Sequence, residues 1–458
     1  MIPKNLPRLL GGLTALAVLA SSVPASDWTQ WGGPNRNFMT DAPGLAASWP
    51  GGGPKTLWKR DLGEGYSSIL AEGARLYTMY RVPSRIYQVG KKDQEVVVAI
   101  EAASGKTIWE YRYDAPALPD MDLEYGPGPH STPLIVGNTL FAAGAMGMFA
   151  ALDKNTGAVR WSHDMFREYG VKTGRGYTIS PIAYKNTVIL TTSRPGKSFM
   201  AFDQATGKLL WENLNFQNAP ASPVLIRVAD SGSATPSKAP AKATGKKAAA
   251  PSPPAEEEQL LSFRAGEVIA VNPANGELLW SYPHQTEWGL NISTPIWWQA
   301  PGEGTYVFLS SAYNSGSRLL KLTRSAGKTT PQEMWFNNRM RIHIGNAIHV
   351  GDYVFGSSGD FGPAFFAAAD VKTGQVKWQD RTFSRASFVY AEGKFIILDE
   401  DGTLGLATAD GNGLKVVSRA SVLEKTAWTP PTLAGTKLYV RDRKTIRALD
   451  LGVVSQFE

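Results

Sequence analysis

One arrangement of apolar and polar positions recurs along the chain. An Ala ends an apolar run, a spacer and an acid follow, then three residues, a Gly, three residues and a Trp. Five copies are complete: Ala99-Glu101-Gly105-Trp109, Ala151-Asp153-Gly157-Trp161, Ala201-Asp203-Gly207-Trp211, Ala270-Asn272-Gly276-Trp280 and Ala368-Asp370-Gly374-Trp378. Two are worn: Leu322, Gly327 and Trp335 keep the outline with a longer turn, while Ala407, Gly413 and Val417 keep the spacing without acid or Trp. An eighth is split, with Ala448-Leu449-Asp450 near the C-terminus and Leu57-Trp58 near the start.

Each copy predicts two strands joined by a tight turn. Ala151-Leu152-Asp153 closes one strand and Asn155-Thr156-Gly157 makes the turn, where Gly reaches positive φ at low steric cost. The Asp carboxylate is placed to accept bonds from turn amides. Val159-Arg160-Trp161 opens the next strand, and its indole offers a large apolar face to a neighbour. Small residues begin the following strand, as in Ser131-Thr132-Pro133, Ile179-Ser180-Pro181, Ala221-Ser222-Pro223 and Ser293-Thr294-Pro295, which suits crowding near an axis.

Self-similarity at this period means a solenoid or a propeller. The split copy decides between them, because a ring pairs its first strand with its last and leaves no open edge. The expected fold is therefore all-β: an eight-bladed β-propeller over residues 57–452, closed by N- and C-terminal segments. Trp58, Trp109, Trp161, Trp211, Trp280, Trp335, Trp378 and the Val417 position count the blades.

Composition adds a compartment. Lys4 and Arg8, the apolar run Leu9 to Ala20 and the small residues Val23-Pro24-Ala25 read as a cleaved secretory signal over residues 1–25. Residues 26–56 then form a lead-in and 453–458 a tail. No other stretch is apolar for long enough to span a bilayer. The chain has no Cys, which excludes disulfides, thiolate catalysis and a lipidated N-terminal cysteine. A soluble periplasmic or secreted monomer is expected. The net charge of +7 includes Lys4 and Arg8 and carries no dense basic run in the folded part, so nucleic acid is not an expected partner.

Three insertions interrupt the repeat. Residues 229–259 are rich in Ala, Pro, Ser and Lys, close on Glu256-Glu257-Glu258 and read as a disordered tether between the first two strands of a blade. Lys238, Lys242, Lys246 and Lys247 in it are read as solvated cations of the tether, with an anionic surface as the alternative partner. Arg81–Glu95 extends a hairpin and Asp114–Pro129 lengthens an inter-blade loop.

His130, Tyr177, Asn291, His343, Arg385 and Trp428 each precede the innermost strand of a blade, so ring closure would gather them at the mouth of the channel. Asp120, Asp122 and Glu124 lie just before His130. A polar ring around a concavity is a binding site in the making. No catalytic residue and no metal ligand set is assigned. Asp399-Glu400-Asp401-Gly402 lacks the twelve-residue spacing of a calcium loop and reads as a hairpin turn. His343 and His349 stand too far apart along a strand to share a metal.

The repeat residues resemble the tryptophan-docking motif of quinoprotein dehydrogenases, and equally that of the propeller in the outer-membrane β-barrel assembly machinery. Asp27-Trp28-Thr29-Gln30-Trp31-Gly32-Gly33-Pro34-Asn35-Arg36 resembles the lead-in of exported propellers of this quinone-binding-like group. The dehydrogenase resemblance implies pyrroloquinoline quinone (PQQ) with Ca²⁺, an adjacent cysteine pair and a Glu, Asn and Asp ligand set. The cysteine pair is missing and the ligand set has no match here; Arg175, Arg341, Arg385 and Trp428 are the residues able to meet a quinone. The first expectation is a non-catalytic propeller without a cofactor, binding a protein, peptide or envelope component on its loop-bearing face. A PQQ-dependent oxidoreductase is the alternative.

Overall fold

The computed structural model describes residues 27–83, 93–118, 121–230, 256–360 and 362–453. The signal reading over 1–25, the centre of the 229–259 insertion and residues 454–458 lie outside them.

Among the described residues, 32 strands form eight four-stranded antiparallel sheets, each a blade. Blades one to seven span residues 70–114, 134–164, 182–213, 224–283, 296–337, 342–380 and 386–421. Blade eight joins residues 432–450 to Lys55–Asp61, with Trp58 paired to Ala448. The chain's two ends thus share one sheet, and the expected eight-bladed, ring-closed propeller is the observed fold.

In every blade the pairing of the outer two strands slips by one residue beside the Trp position. The bulge sharpens local twist and turns the indole toward the next blade. There it covers the turn glycine. A methyl group on Gly157 would lie 2.6 Å from Trp109, one on Gly207 2.6 Å from Trp161 and one on Gly105 2.7 Å from Trp58. The indole N–H also donates across the joint: Trp58 to the Ala102 carbonyl (2.8 Å), Trp109 to Lys154 (3.0 Å) and Trp161 to Gln204 (3.0 Å). The acid does what its spacing implied. Asp153, Asp203 and Asp370 each accept two turn amides and a Thr hydroxyl. Asp450 instead accepts from the Gly452 amide and the Thr436 hydroxyl and pairs with Lys437.

The register corrects the two worn copies. Trp335 pairs with Leu319, not Leu322, because the hairpin Ser317–Asn337 is lengthened. In blade seven Ser418 holds the register of the missing Trp, opposite Leu406, and Val417 is the bulged, exposed residue beside it. The lead-in brings an indole there: the Trp49 amide donates to the Ser418 hydroxyl at 2.8 Å and its side chain is buried. Trp280 also departs from the pattern. The longer hairpin moves Gly327 away, and Trp280 donates to Gln259 in its own blade.

The insertion is shorter than expected. Ala229 pairs with Glu256, and Glu257, Glu258 and Gln259 continue the ladder against Val228, Arg227 and Ile226. Glu257 and Asp230 both meet Arg324 of the next blade, which is why these acids belong to the sheet.

Candidate functional site

The small residues at the strand starts bond one blade to the next. The Ser68 amide donates to the Thr132 hydroxyl (3.1 Å), the Thr132 amide to Ser180 (3.0 Å) and the Ser180 amide to Ser222 (3.0 Å). Ser310 and Ser357 receive the Ile342 and Ala386 amides in the same way. A hydroxyl there satisfies a buried amide without filling the axis. Farther out, the buried Arg264 and Arg441 donate to carbonyls of the adjoining blade, at Thr192 and Phe216 and at Ser67 and Met79 respectively.

The lead-in enters the channel from the face opposite the inter-blade loops. The Trp28 amide bonds Ala71 of blade one (2.7 Å), and the Ile135 amide of blade two bonds the Thr29 carbonyl (2.8 Å). Arg36 donates to the Pro181 carbonyl of blade three (2.7 Å), the Pro223 carbonyl of blade four (3.0 Å) and Gln30 (2.9 Å). The Trp31 indole reaches Thr294 of blade five (2.8 Å), and Phe38 pairs with Tyr390 of blade seven (3.0 Å). Six blades hold one segment. Burial pushes the Arg36 guanidinium down to about 9, which leaves it charged at neutral pH. Arg36 and Phe38 both take positive φ, at 53° and 59°, a conformation that costs on the order of 1–3 kcal/mol each and persists where the surroundings impose it.

The plug turns the channel into a blind cup. Its cavity of about 210 Å³ has Trp31 and Phe38 as floor, meeting edge to face at 5.4 Å. Leu290, Ile292, Ile344 and the hydroxyl residues Thr178, Ser180, Ser222 and Thr294 line the wall. Aromatic rings surround the mouth. His130 stacks on Tyr66 (5.6 Å) and Tyr66 on Trp428 (5.5 Å), with Tyr125 tilted against Trp428 (5.8 Å). Across from them Tyr313 meets His343 edge to face and hydrogen-bonds its Nε2.

The charges here are tied. Arg175 pairs with Asp122 and covers the Tyr125 ring at 5.4 Å. Arg443 pairs with Glu64 (3.3 Å) over Tyr66, and Glu400 holds both Arg385 (3.3 Å) and the Trp428 indole (3.0 Å). Burial, aided by Arg443 and Arg385 respectively, pushes His130 and His343 down to about 4, so both are neutral near pH 7.

Of the six residues expected at the mouth, His130, His343 and Trp428 line the cup. The other three are held elsewhere. Tyr177 is buried and donates to the Thr191 carbonyl at 3.0 Å. Asn291 donates to the Arg264 carbonyl at 2.6 Å and accepts from Ser311, while its neighbours Leu290 and Ile292 face the cavity. Arg385 binds Glu400 and the Asp360 carbonyl. Arg341 bonds the Asn338 carbonyl of its own loop, and Asp120 lies outside the described residues. Tyr66, Tyr125, Tyr313, Trp31 and Phe38 escaped the sequence reading. Position before a strand start was the signal for Tyr66; nothing local marked the floor.

Among the described residues, no group of three or more His, Cys, Asp or Glu is placed to hold a metal, and no helix is long and apolar enough to cross a membrane.

Eight blades, seven of them carrying the repeat Trp, around a floored channel define a repeat β-propeller of quinoprotein-like type. The chain belongs to the family described as outer membrane protein assembly factor BamB, whose model matches residues 50–214 and 92–380. No curated protein matches by sequence. Among solved structures, BamB from Moraxella catarrhalis aligns at 14% identity and TM-score 0.54, over 86% of this chain and 99% of its own. Quinohemoprotein alcohol dehydrogenase from Comamonas testosteroni aligns at 12% and 0.61, over 96% of this chain and 82% of its own. The computationally designed Ika8 protein aligns at 10% and 0.50, over 85% and 98%. At such identities the likeness is one of fold.

Proposed function

We propose that this protein is an exported, non-catalytic propeller of the cell envelope that holds a protein partner on its loop-bearing face. The observation that carries this is the blind aromatic cup with apolar side chains exposed beside it. Trp288 is 61% exposed two residues from the lining Leu290, and Leu123 is exposed between the lining Asp122 and Tyr125. Exposed large apolar groups next to a concavity are the mark of a partner surface. The family's description as an outer membrane protein assembly factor agrees with an envelope location and with protein partners. Export by cleavage before Ser26 belongs to the same proposal.

The quinone alternative finds less support in these residues. Asp122 and Glu400 already neutralise Arg175 and Arg385, which weakens the hold either would have on a quinone carboxylate. Each of the three Arg36 nitrogens already donates, to Gln30 or to a proline carbonyl. About 210 Å³ is also below the roughly 300–1,000 Å³ of sites for drug-sized ligands.

A photo-crosslinking residue at Trp288, introduced in cells that make the protein, should give a discrete protein adduct. The same residue at Lys377, exposed on the outer rim, should not. Equal labelling at the two positions, or none at 288, overturns the proposal. Stoichiometric uptake of added PQQ and Ca²⁺ with dye reduction would establish the oxidoreductase instead.

A further inference from the structure

The reading of a partner surface leaves open what enters the cup. Its chemistry narrows the choice. A cation is opposed: Arg36 sits beneath the floor without a carboxylate partner among its bonds, and Arg175 and Arg443 already cover the Tyr125 and Tyr66 faces that would attract one. An anion is opposed as well. Arg175, Arg385 and Arg443 are neutralised by carboxylates, and Arg36 lies beneath the aromatic floor with each of its nitrogens already donating to a neutral oxygen, so an anion would meet its charge only at a distance and without a direct bond to repay the lost hydration.

What the cup offers is ring surface. Trp31 and Phe38 floor it, and Tyr66, Trp428 and the neutral His130 and His343 stand around it. Rings meet one another edge to face or offset, and such pairs gain beyond their buried area. A cavity of about 210 Å³ has room for one such ring, since roughly 150 Å³ of apolar cavity admits benzene. The exposed Trp288 and Leu123 beside the mouth favour a ring carried on a chain over a free molecule, because they give flanking residues something apolar to rest on. We infer that the cup receives a single aromatic side chain, of the Phe or Tyr kind, presented by the protein partner. The inference rests on the partner-binding reading and adds the anchor. It also gives the lead-in a role: Trp31 and Phe38 set the depth that stops the ring.

The test uses the full chain and titration calorimetry. The probes are p-cresol, its saturated counterpart 4-methylcyclohexanol, and the peptide Ac-Ala-Leu-Tyr-Leu-Ala-NH2 beside its Tyr→Ala form. p-Cresol should bind with Kd on the order of 0.1–1 mM, the range expected for so few atoms. It should bind about fivefold tighter than the saturated ring, the increment of an aromatic pair. The Tyr peptide should bind about tenfold tighter than p-cresol, and its Ala form weakly. Phe38→Trp should abolish binding by filling the floor. Because that change touches a strained position, Thr178→Trp, which fills the cup from the wall, serves as the second variant. Trp288→Ser should weaken the peptide and spare p-cresol.

Equal binding of p-cresol and 4-methylcyclohexanol, or p-cresol binding untouched by Thr178→Trp in folded protein, overturns the inference. A peptide no tighter than p-cresol overturns the chain-borne source and points to a free aromatic molecule. If cross-linking at 288 finds a partner while no aromatic probe binds, the anchor is wrong and the partner surface stands. If the probes bind and no partner is captured, the surface reading is what fails.

Discussion

Three histidines sit in this protein as neutral bases. Burial pushes His284 down to about 3 and His130 and His343 to about 4, from an ordinary 6.5; Arg318, Arg443 and Arg385 add to the effect. Each therefore adds stability above pH 6.5 that is lost as the pH falls toward 4, because the unfolded chain takes the proton first. Glu95 acts in the opposite sense. Burial raises it from 4.5 to about 7 against the pull of Tyr113, Arg81 and the Ala145 amide, so the folded protein takes that proton first. Its contribution is present below pH 4.5 and lost through 7. Between these limits these four groups make unfolding take up about two protons, roughly 2.7 kcal/mol per pH unit at full difference, and His349, also lowered by burial, adds in the same sense. Urea melts at pH 7, 6 and 5 should show falling stability, and Glu95→Gln should steepen the fall by about one proton. A flat or rising profile would refute the assignment. None of this was legible in the sequence, where burial of a polar side chain leaves no local mark. The Trp and Gly positions were legible because both halves of each contact repeat at a fixed local spacing. Where a hairpin lengthened, as at Ser317–Asn337, the count slipped by three residues, since pairing and not spacing sets the partner.

At the scale of elements, the blades were readable and the lead-in's place was not. Its contacts span 145 residues to Pro181, 187 to Pro223 and 263 to Thr294, and it has no periodicity of its own. Tyr177 and Asn291 were misplaced for a related reason: standing before a strand start fixes a residue's height in the ring but not whether its side chain turns to the axis or to its own loop. The lead-in's hold can be tested through Arg36. Arg36→Ala strips two proline carbonyls of their donor in a buried site, a loss of about 2–5 kcal/mol. Protease cutting within residues 27–40 should quicken at least tenfold, since about 1.4 kcal/mol of local stability suffices for that. Arg36→Lys, which keeps one donor group and the charge, should fall between. Cutting no faster than in the parent would mean that other contacts seat the segment.

The whole molecule depends on one sheet built from both ends. Thr445–Asp450 is hydrogen-bonded to Lys437–Arg441 on one side and to Lys55–Asp61 on the other. Truncation after Lys444 removes it, strands Trp58 and bares two edges, and unpaired edges recruit other chains. The truncated protein should elute as larger species on size exclusion and melt at lower denaturant. A monodisperse product melting like the parent would show that closure does not hold the ring. The split repeat made this joint readable from sequence alone, because each end carried half of a pattern complete elsewhere.

The plug also imposes an order in time. Residues 27–40 are made before all eight blades, yet their seat needs strands from six of them, the last at Tyr390. Lys55–Asp61 must wait longer still, for a partner more than 380 residues away. Such distant pairings are slow to form. A segment made before every blade is thus among the last to settle, and during that interval its tryptophans and the unfinished edge are exposed together. A protein built this way calls for protection from its neighbours while it is made, and it acquires its cup only when the ring is complete.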